Sequence, residues 1–303
     1  MSMKIGLNAG GPNLARTIED AVRAEQEGFA AYSMPGDSTA TLGLVGAKTS
    51  TIRLLTAVVP IFGIHPATLA GQARVAQAAA DGRFTLGIGL AHQVSVEGVL
   101  GMSFAHPAAR MEEYLKILGP LLRGEEVDFA GEFYTYHARG RRSDSAPPVP
   151  YVIAALGPIM LRLCAELAGG TILWMANARA IEGFVAPRIR RAAERSGRLD
   201  WEIVASLPVA LTNDVAAARE VANQQFANYG QLPSYRGILD RGAAALPGDA
   251  ALIGNEAELD AELDRLERAG VTLFNASLFR AEPGGPARTR EFLASRARER
   301  NRR

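Results

Sequence analysis

Several stretches of the chain place polar or conformationally unusual residues at the ends of apolar runs. DGRFTLGIGLAHQ (81–93) sets Gly87 and Gly89 in a strand and follows it with His92 and Gln93. Glycine inside a buried strand removes a side chain where another group must approach the backbone. An imidazole at such a strand end is a candidate proton donor or acceptor, because it titrates near neutrality. RLLTAVVPIFGIHPATLA (53–70) closes a strand with Pro60 and reaches His65-Pro66, where the ring either caps a helix or handles a second proton. PPVPYVIAALGPIMLRL (147–163) runs from a strand through Ala155, Leu156 and Gly157 to Pro158. Proline suits the first helical position, and small residues before it leave the helix N–H groups open, so this start can hold a phosphate without lysine or arginine. Asp37, after the second strand, is a candidate acid or base. Asn8, Met34 and Trp174 end strands where a substrate would lie.

Other polar residues read as structural. Arg110 and Glu113 have the spacing of a helical ion pair. His106 precedes Pro107 as His65 precedes Pro66, and His137 falls in the loop of an outer hairpin. No pair of the four histidines has metal-ligand spacing, so no metal is expected. Cys164 lies on the apolar face of its helix and is expected buried and inert. The bare G-x-G lacks the third glycine and helix start of a dinucleotide fingerprint.

The elements that position these residues follow a repeating unit of amphipathic helix, glycine and short apolar strand. It occurs at 19–34, 161–175 and 262–277, with Gly28, Gly169 and Gly270 where a helix end favours a left-handed residue. The strands are continuous apolar runs, as in a parallel sheet covered on both faces. Strands are expected near 4–9, 29–34, 52–60, 84–89, 150–154, 171–175, 202–211 and 271–277. Helices fall between them, including 158–168, 181–196 and 214–229, with a last one from about 288. Eight such pairs make a (β/α)8 TIM barrel, with an open doubly wound sheet as the alternative. A hairpin at 125–136, a polar proline-rich loop at 138–150 and an irregular segment at 230–254 interrupt the pattern. The last is a candidate lid, since barrel insertions gather over the strand ends. The tail RARERNRR reads as a solvated end.

Composition narrows the classes of function. Of 303 residues, 33 are basic and 32 acidic, for a net charge of +1, which leaves no electrostatic footprint for nucleic acid or a membrane surface. The longest apolar run is broken by prolines and stops at Arg162, too short for a membrane span. One cysteine excludes an intrachain disulfide and fits a reducing cytoplasm. Only Lys4, Lys48 and Lys116 are lysine against thirty arginines, the skew a GC-rich genome imposes.

TAVVPIFGIHPATLA (56–70), DGRFTLGIGLAHQ (81–93), ARMEEYLKILGPLLRGEEVDFAGEFY (109–134) and VPYVIAALGPIMLRLCAELAGGTILWM (149–175) together resemble the bacterial luciferase-like superfamily. Within it they are similar to the deazaflavin (coenzyme F-420)-dependent oxidoreductases. The resemblance covers most of 3–278 and implies one barrel domain over 1–303, with a C-terminal helix and basic tail from about 288. It implies a non-prolyl cis peptide at Thr56–Ala57 in a bulge behind the cofactor ring, with Val58, Gly89, Leu90, Ala91 and His92 around the ring. The cofactor phosphate is implied over Ala155, Leu156, Gly157 and Pro158, with Met160 nearby. Hydride would pass between the ring and a C=C, C=N or alcohol/carbonyl group of a small-molecule substrate, in an actinobacterial homodimer. Alternatives are an FMN-dependent two-component monooxygenase of the same fold and a cofactor-binding barrel without turnover. The chain departs from the family at Ser33-Met34-Pro35-Gly36-Asp37, where many members carry an Asp-His pair.

Overall fold

The computed structural model describes residues 2–10, 13–138, 147–197 and 201–302. Of the proline-rich loop expected at 138–150, residues 139–146 lie outside this set.

Eight parallel strands close on themselves: β1 (Lys4–Asn8), β2 (Ala31–Met34), β3 (Arg53–Thr56), β4 (Phe84–Gly89), β5 (Tyr151–Ala154), β6 (Gly170–Trp174), β7 (Glu202–Leu211) and β8 (Leu273–Leu278). Each pairs with its neighbours in sequence, and β8 returns to β1 through Lys4–Leu273 to Leu7–Ala276. The sheet is a closed (β/α)8 barrel; the open alternative is excluded. The helices ring it because the strands are apolar on both faces. Ala31, Leu55, Val152, Ile172, Val204 and Leu273 form the interior cluster, while a larger core lies between strands and helices. At one end of the barrel Arg53 makes two hydrogen bonds to Glu202, 2.8 and 2.6 Å, crossing from β3 to β7.

Local chemistry explains most of the elements, and several expectations change. Helix α1 (Leu14–Glu27) starts on Asn13, whose side chain accepts from the Arg16 N–H, and ends at Gly28 with φ 90°. Gly270 likewise takes φ 98°. Gly169 does not: its helix ends in an extended Ala168, and the next glycine, Gly170, is small because a Cβ there would lie 2.5 Å from the Glu202 carbonyl oxygen. The strand expected over 52–60 breaks after Thr56 and resumes for two residues, Val59–Pro60, against β4. The helix expected over 181–196 is a short turn at Ala178–Ala180, a π-helical turn at Ile181–Val185 and a helix at Ala186–Arg195. The helix expected over 214–229 breaks at Phe226. The hairpin pairs Val127–Ala130 with Thr135–Ala138, so His137 lies on a strand, 2.5 Å from Asp128, and not in a loop.

The basic tail is a docked helix, Gly285–Asn301, rather than a solvated end. Arg290, 11% exposed, binds Asp20 and Glu27 of α1. Arg296 binds Asp260, and Arg300 binds Asp264 and Glu267. A guanidinium withdrawn from water in this way must find a carboxylate, because an unpaired buried charge is costly. No helix among the described residues is long and apolar enough to cross a membrane.

Candidate active site

At the C-terminal ends of β3 and β4 the chain builds a shelf. Between Thr56 and Val59 the backbone bulges toward β4, with a cis peptide at Ala57–Val58. The expected cis bond at Thr56–Ala57 is therefore one residue too early. The glycines of β4 exist for this crossing. A Cβ on Gly87 would lie 2.0 Å from the Thr56 carbonyl oxygen, and one on Gly89 would lie 2.7 Å from Val58 Cγ2 and 3.2 Å from Ala154 Cβ. Thr56 replaces the ladder bonds that the bulge removes: its hydroxyl donates to the Gly87 carbonyl (2.8 Å) and accepts from the Gly87 N–H (2.7 Å). Thr56→Val keeps the shape and orphans both groups. It is expected to lower the unfolding free energy by about 2–4 kcal/mol, measured by urea titration.

The shelf leads directly to an open helix start, the candidate anion site. Ala154, touching the Gly89 position, precedes Ala155-Leu156-Gly157, and helix α5 is α-helical over Pro158–Leu167 (α2–α4 being Thr39–Gly46, Pro66–Ala79 and Pro107–Leu122). Gly157 is the N-cap with extended backbone, no side chain caps the helix, and a Cβ on Gly157 would touch nothing within 4 Å. No side chain caps the first-turn N–H groups, which with the positive end of the helix dipole can take an anion. Met160 is buried in the core, so it supports this turn from within.

The opposite half of the mouth is polar. Ser33 Oγ donates to the Leu7 carbonyl (3.2 Å) and the Asn8 Oδ1 (3.4 Å), which joins the ends of β1 and β2. One step deeper, Asn275 is fully buried, and neither its amide oxygen nor its nitrogen has a partner among the described residues. Its register neighbour Ser206 is buried and equally unpartnered. A Cβ on Gly6 would strike Asn275 Oδ1 at 2.7 Å, so the amide leans across the interior. Sequence reasoning passed over both. The signal was a polar residue in mid-strand on the inward phase of EIVASLPVAL and LFNASL, a phase they share with Glu202 and Ser277.

The candidate proton carriers separate. His65 caps α3: its Nδ1 accepts from the Ala67 N–H at 3.2 Å, and its ring neighbours Tyr134 and Tyr136 of the hairpin. His106 makes no side-chain cap and sits at φ 53° beside Phe133, unlike His65. Asp37 is exposed. Burial, then the neighbouring Tyr134 and Asp37, push the pKa of the buried Tyr114 hydroxyl upward. Arg110 and Glu113 do not pair. Arg110 lies over the Phe133 ring, and Glu113 accepts the N–H groups of Glu132, Phe133 and Tyr134, fixing the hairpin turn. Cys164 is buried, its thiol directed to the Gly170 carbonyl.

His92 faces the lid. It follows Ala91, held at φ 59°, and its half-buried ring lies 5.5 Å from Tyr235. Burial lowers its pKa below the ordinary 6.5. The segment at 230–254 is ordered: a helix at Pro233–Arg241, a 3-10 turn at Pro247–Ala250, and a strand at Leu252–Gly254 on β7. Asn177 donates to the Gly242 carbonyl and Arg236 to those of Ala244 and Ala245, which ties the segment down. Tyr235 and Tyr229 stack edge-to-face at 4.8 Å, and Tyr229 meets Trp174 at 5.7 Å. Trp174 continues to Phe226 and Phe226 to Phe279. These rings run from the end of β4 to the end of β8, which are opposite strands of the barrel. Sequence reasoning flagged the lid and Trp174 but not the two tyrosines, spaced six apart around Pro233.

The model of the family described as luciferase-like monooxygenase matches residues 3–273. A Mycobacterium tuberculosis protein named a putative coenzyme F-420-dependent oxidoreductase is 29% identical over 244 residues, 71% of this chain and 69% of that one. An F-420-dependent secondary alcohol dehydrogenase, solved with an F-420–acetone adduct, superposes with a TM-score of 0.78 at 18% identity, over 97% of this chain and 98% of that one. The oxygenating component of 3,6-diketocamphane monooxygenase from Pseudomonas putida, solved with FMN, gives 0.75 at 15% identity over 97% of each. At these identities the two structures share the fold.

Proposed function

Because the chain belongs to the luciferase-like monooxygenase family, we propose that it is a coenzyme F-420-dependent oxidoreductase. It would move hydride between the cofactor ring and a C=C, C=N or alcohol/carbonyl group. The observation that carries this reading is the continuity of a flat apolar shelf (Ala57, Val58, Gly89, Ala154) with an open helix start at Gly157. A planar ring with a phosphate on its side chain fits both. The name of the M. tuberculosis relative supports the deazaflavin over FMN.

When bound, coenzyme F-420 supplies the hydride carrier, ring C5. The chain's residues do the rest. Ala57 and Val58 would support the ring, and the α5 start would hold the phosphate by backbone N–H groups. The lid rings would exclude water. His92 handles the proton. Its burial keeps the imidazole neutral at pH 7, so in alcohol oxidation it accepts the hydroxyl proton and in reduction it returns one. Asp37, exposed on the other side, and His65, committed to its cap, are poorer placed.

The expected pH profile follows from the sign of the shift. Only the neutral imidazole accepts a proton, so alcohol-oxidation kcat/KM holds its plateau from the alkaline side to below pH 6.5 and falls at lower pH. His92→Asn is expected to remove that inflection and lower kcat about 100-fold. An unchanged profile would assign the proton elsewhere.

Binding distinguishes the cofactor readings. Reduced F-420, reduced FMN and NADPH are titrated separately and followed by fluorescence, and F-420 is expected to bind most tightly. Tight FMN binding without F-420 affinity sinks the proposal. F-420 binding with no turnover of activated alkenes, imines or alcohols points to a non-catalytic barrel.

A further inference from the structure

Four rings at the strand ends and lid are all half-buried: His92, Tyr235, Tyr229 and Trp174. Phe226 and Phe279 back them, 8% and 2% exposed. A ring packed on one side and open on the other offers an apolar face to a ligand, and stacked or edge-to-face aromatic contacts favour a flat partner. The shelf lies at β3–β5; the wall meets it at His92, after β4, and its other rings stand over β6–β8. Those rings therefore lie on the side of the mouth that the shelf leaves free.

Charge points the same way. Lys4 lies at the start of β1, Lys48 beyond α2, and Lys116 pairs with Glu112 on the outer helix α4, so no lysine reaches the strand ends. The lid arginines are engaged: Arg236 with Asp240 and two carbonyls, Arg241 over the Phe184 ring, which Arg188 covers from 3.8 Å. Arg219 pairs with Asp249 and Arg288 with Glu282. Among the described residues only Arg179 and Arg280 of the strand-end loops have no hydrogen-bond, ion-pair or ring partner. Both are exposed rather than packed into the wall.

We propose that the substrate is an uncharged molecule carrying an aromatic or similarly flat apolar ring, docked between Trp174 and the tyrosines Tyr229, just before the lid, and Tyr235 within it. This inference rests on the hydride-transfer reading above, since it assigns the substrate side of that site. With the α5 start given to the cofactor phosphate, a phosphorylated sugar or a dicarboxylate would find no packed cation beside these rings to replace its lost hydration, and anions are costly to desolvate unpaired.

The test uses the full chain with Trp201→Phe, so that Trp174 alone reports. A neutral aromatic ketone, 2-acetylnaphthalene, and glucose 6-phosphate are each titrated against it. The ketone is expected to quench Trp174 fluorescence saturably, and the sugar phosphate is not. Tyr229→Ala and Tyr235→Ala should each weaken ketone binding about tenfold, as loss of one aromatic contact implies. Arg179→Ala/Arg280→Ala should leave it unchanged. F-420 binding, read from cofactor fluorescence, should be retained in every variant, which also shows that they fold.

Two results overturn the proposal: saturable binding of glucose 6-phosphate that the double arginine variant abolishes, or ketone affinity indifferent to both tyrosine substitutions. Ketone binding without any F-420 binding leaves the aromatic site standing and defeats the cofactor reading instead.

Discussion

Gly87→Ala is expected to be the most damaging single-methyl change in the barrel. The added Cβ would lie 2.0 Å from the Thr56 carbonyl oxygen and 3.2 Å from Val58 Cγ1. Neither obstacle is the loose end of a side chain, for the first is backbone and the second belongs to the bulge. Gly87 lacks a positive φ, so the cost is steric. Relief requires the bulge to lift off β4, breaking both bonds between Thr56 and Gly87. Overpacking of a tight interior costs typically 1–3 kcal/mol, and the lost hydrogen bonds place this variant at about 3 kcal/mol or more. Cofactor affinity should fall with stability, because the displaced Val58 is the shelf itself. Urea unfolding and F-420 titration check both. A variant with wild-type stability and affinity would refute the view that these glycines exist for the bulge.

Gly157→Asp is expected to separate stability from binding with opposite signs. The position has ordinary extended backbone and open space around a Cβ, so aspartate fits without strain. It would cap α5 and complement the helix dipole, raising stability by about 0.5 kcal/mol. The same carboxylate would occupy the cradle and repel a phosphate. At about 4 Å and an effective dielectric near 20, that repulsion is worth about 4 kcal/mol before salt screening, so a loss in F-420 affinity of about 100-fold or more is expected. Gly157→Asn, which caps without charge, should lose far less affinity. Gly157→Ala serves as the reference. A raised melting temperature with unchanged affinity would place the phosphate elsewhere.

Much of this was written in local pattern. The period of helix, glycine and apolar strand specified eight βα units, because a strand buried on both faces cannot alternate and a helix end accepts glycine at little cost. The order of G-x-G, A-L-G-P and the strand ends marked the shelf and the cradle. Each of those signals is confined to a dozen residues or fewer, so the sequence carries each one whole.

What failed to show needed distant segments. The glycines of β4 were legible as a close approach, but the approaching group is the Thr56–Val58 bulge, from a strand some thirty residues earlier. Its placement at Ala57–Val58 is set by contact with Gly87 and Gly89. Glu113 looked like a partner for Arg110 at helical spacing. The hairpin turn, with three unsatisfied N–H groups, offered the carboxylate more. The basic tail looked solvated until α1 and the helix Glu256–Arg268 supplied carboxylates for Arg290, Arg296 and Arg300. The aromatic wall is the clearest case. Its rings come from the ends of β4, β6 and β8 and from the lid, and only closure of the barrel brings those ends together. Sequence by itself determined the eight strand–helix units, the open helix start at Gly157 and the candidate histidines, because these depend on local backbone geometry. The tertiary structure decided that the sheet closes into a barrel and which histidine faces the lid, because those depend on segments far apart in the chain converging on one mouth.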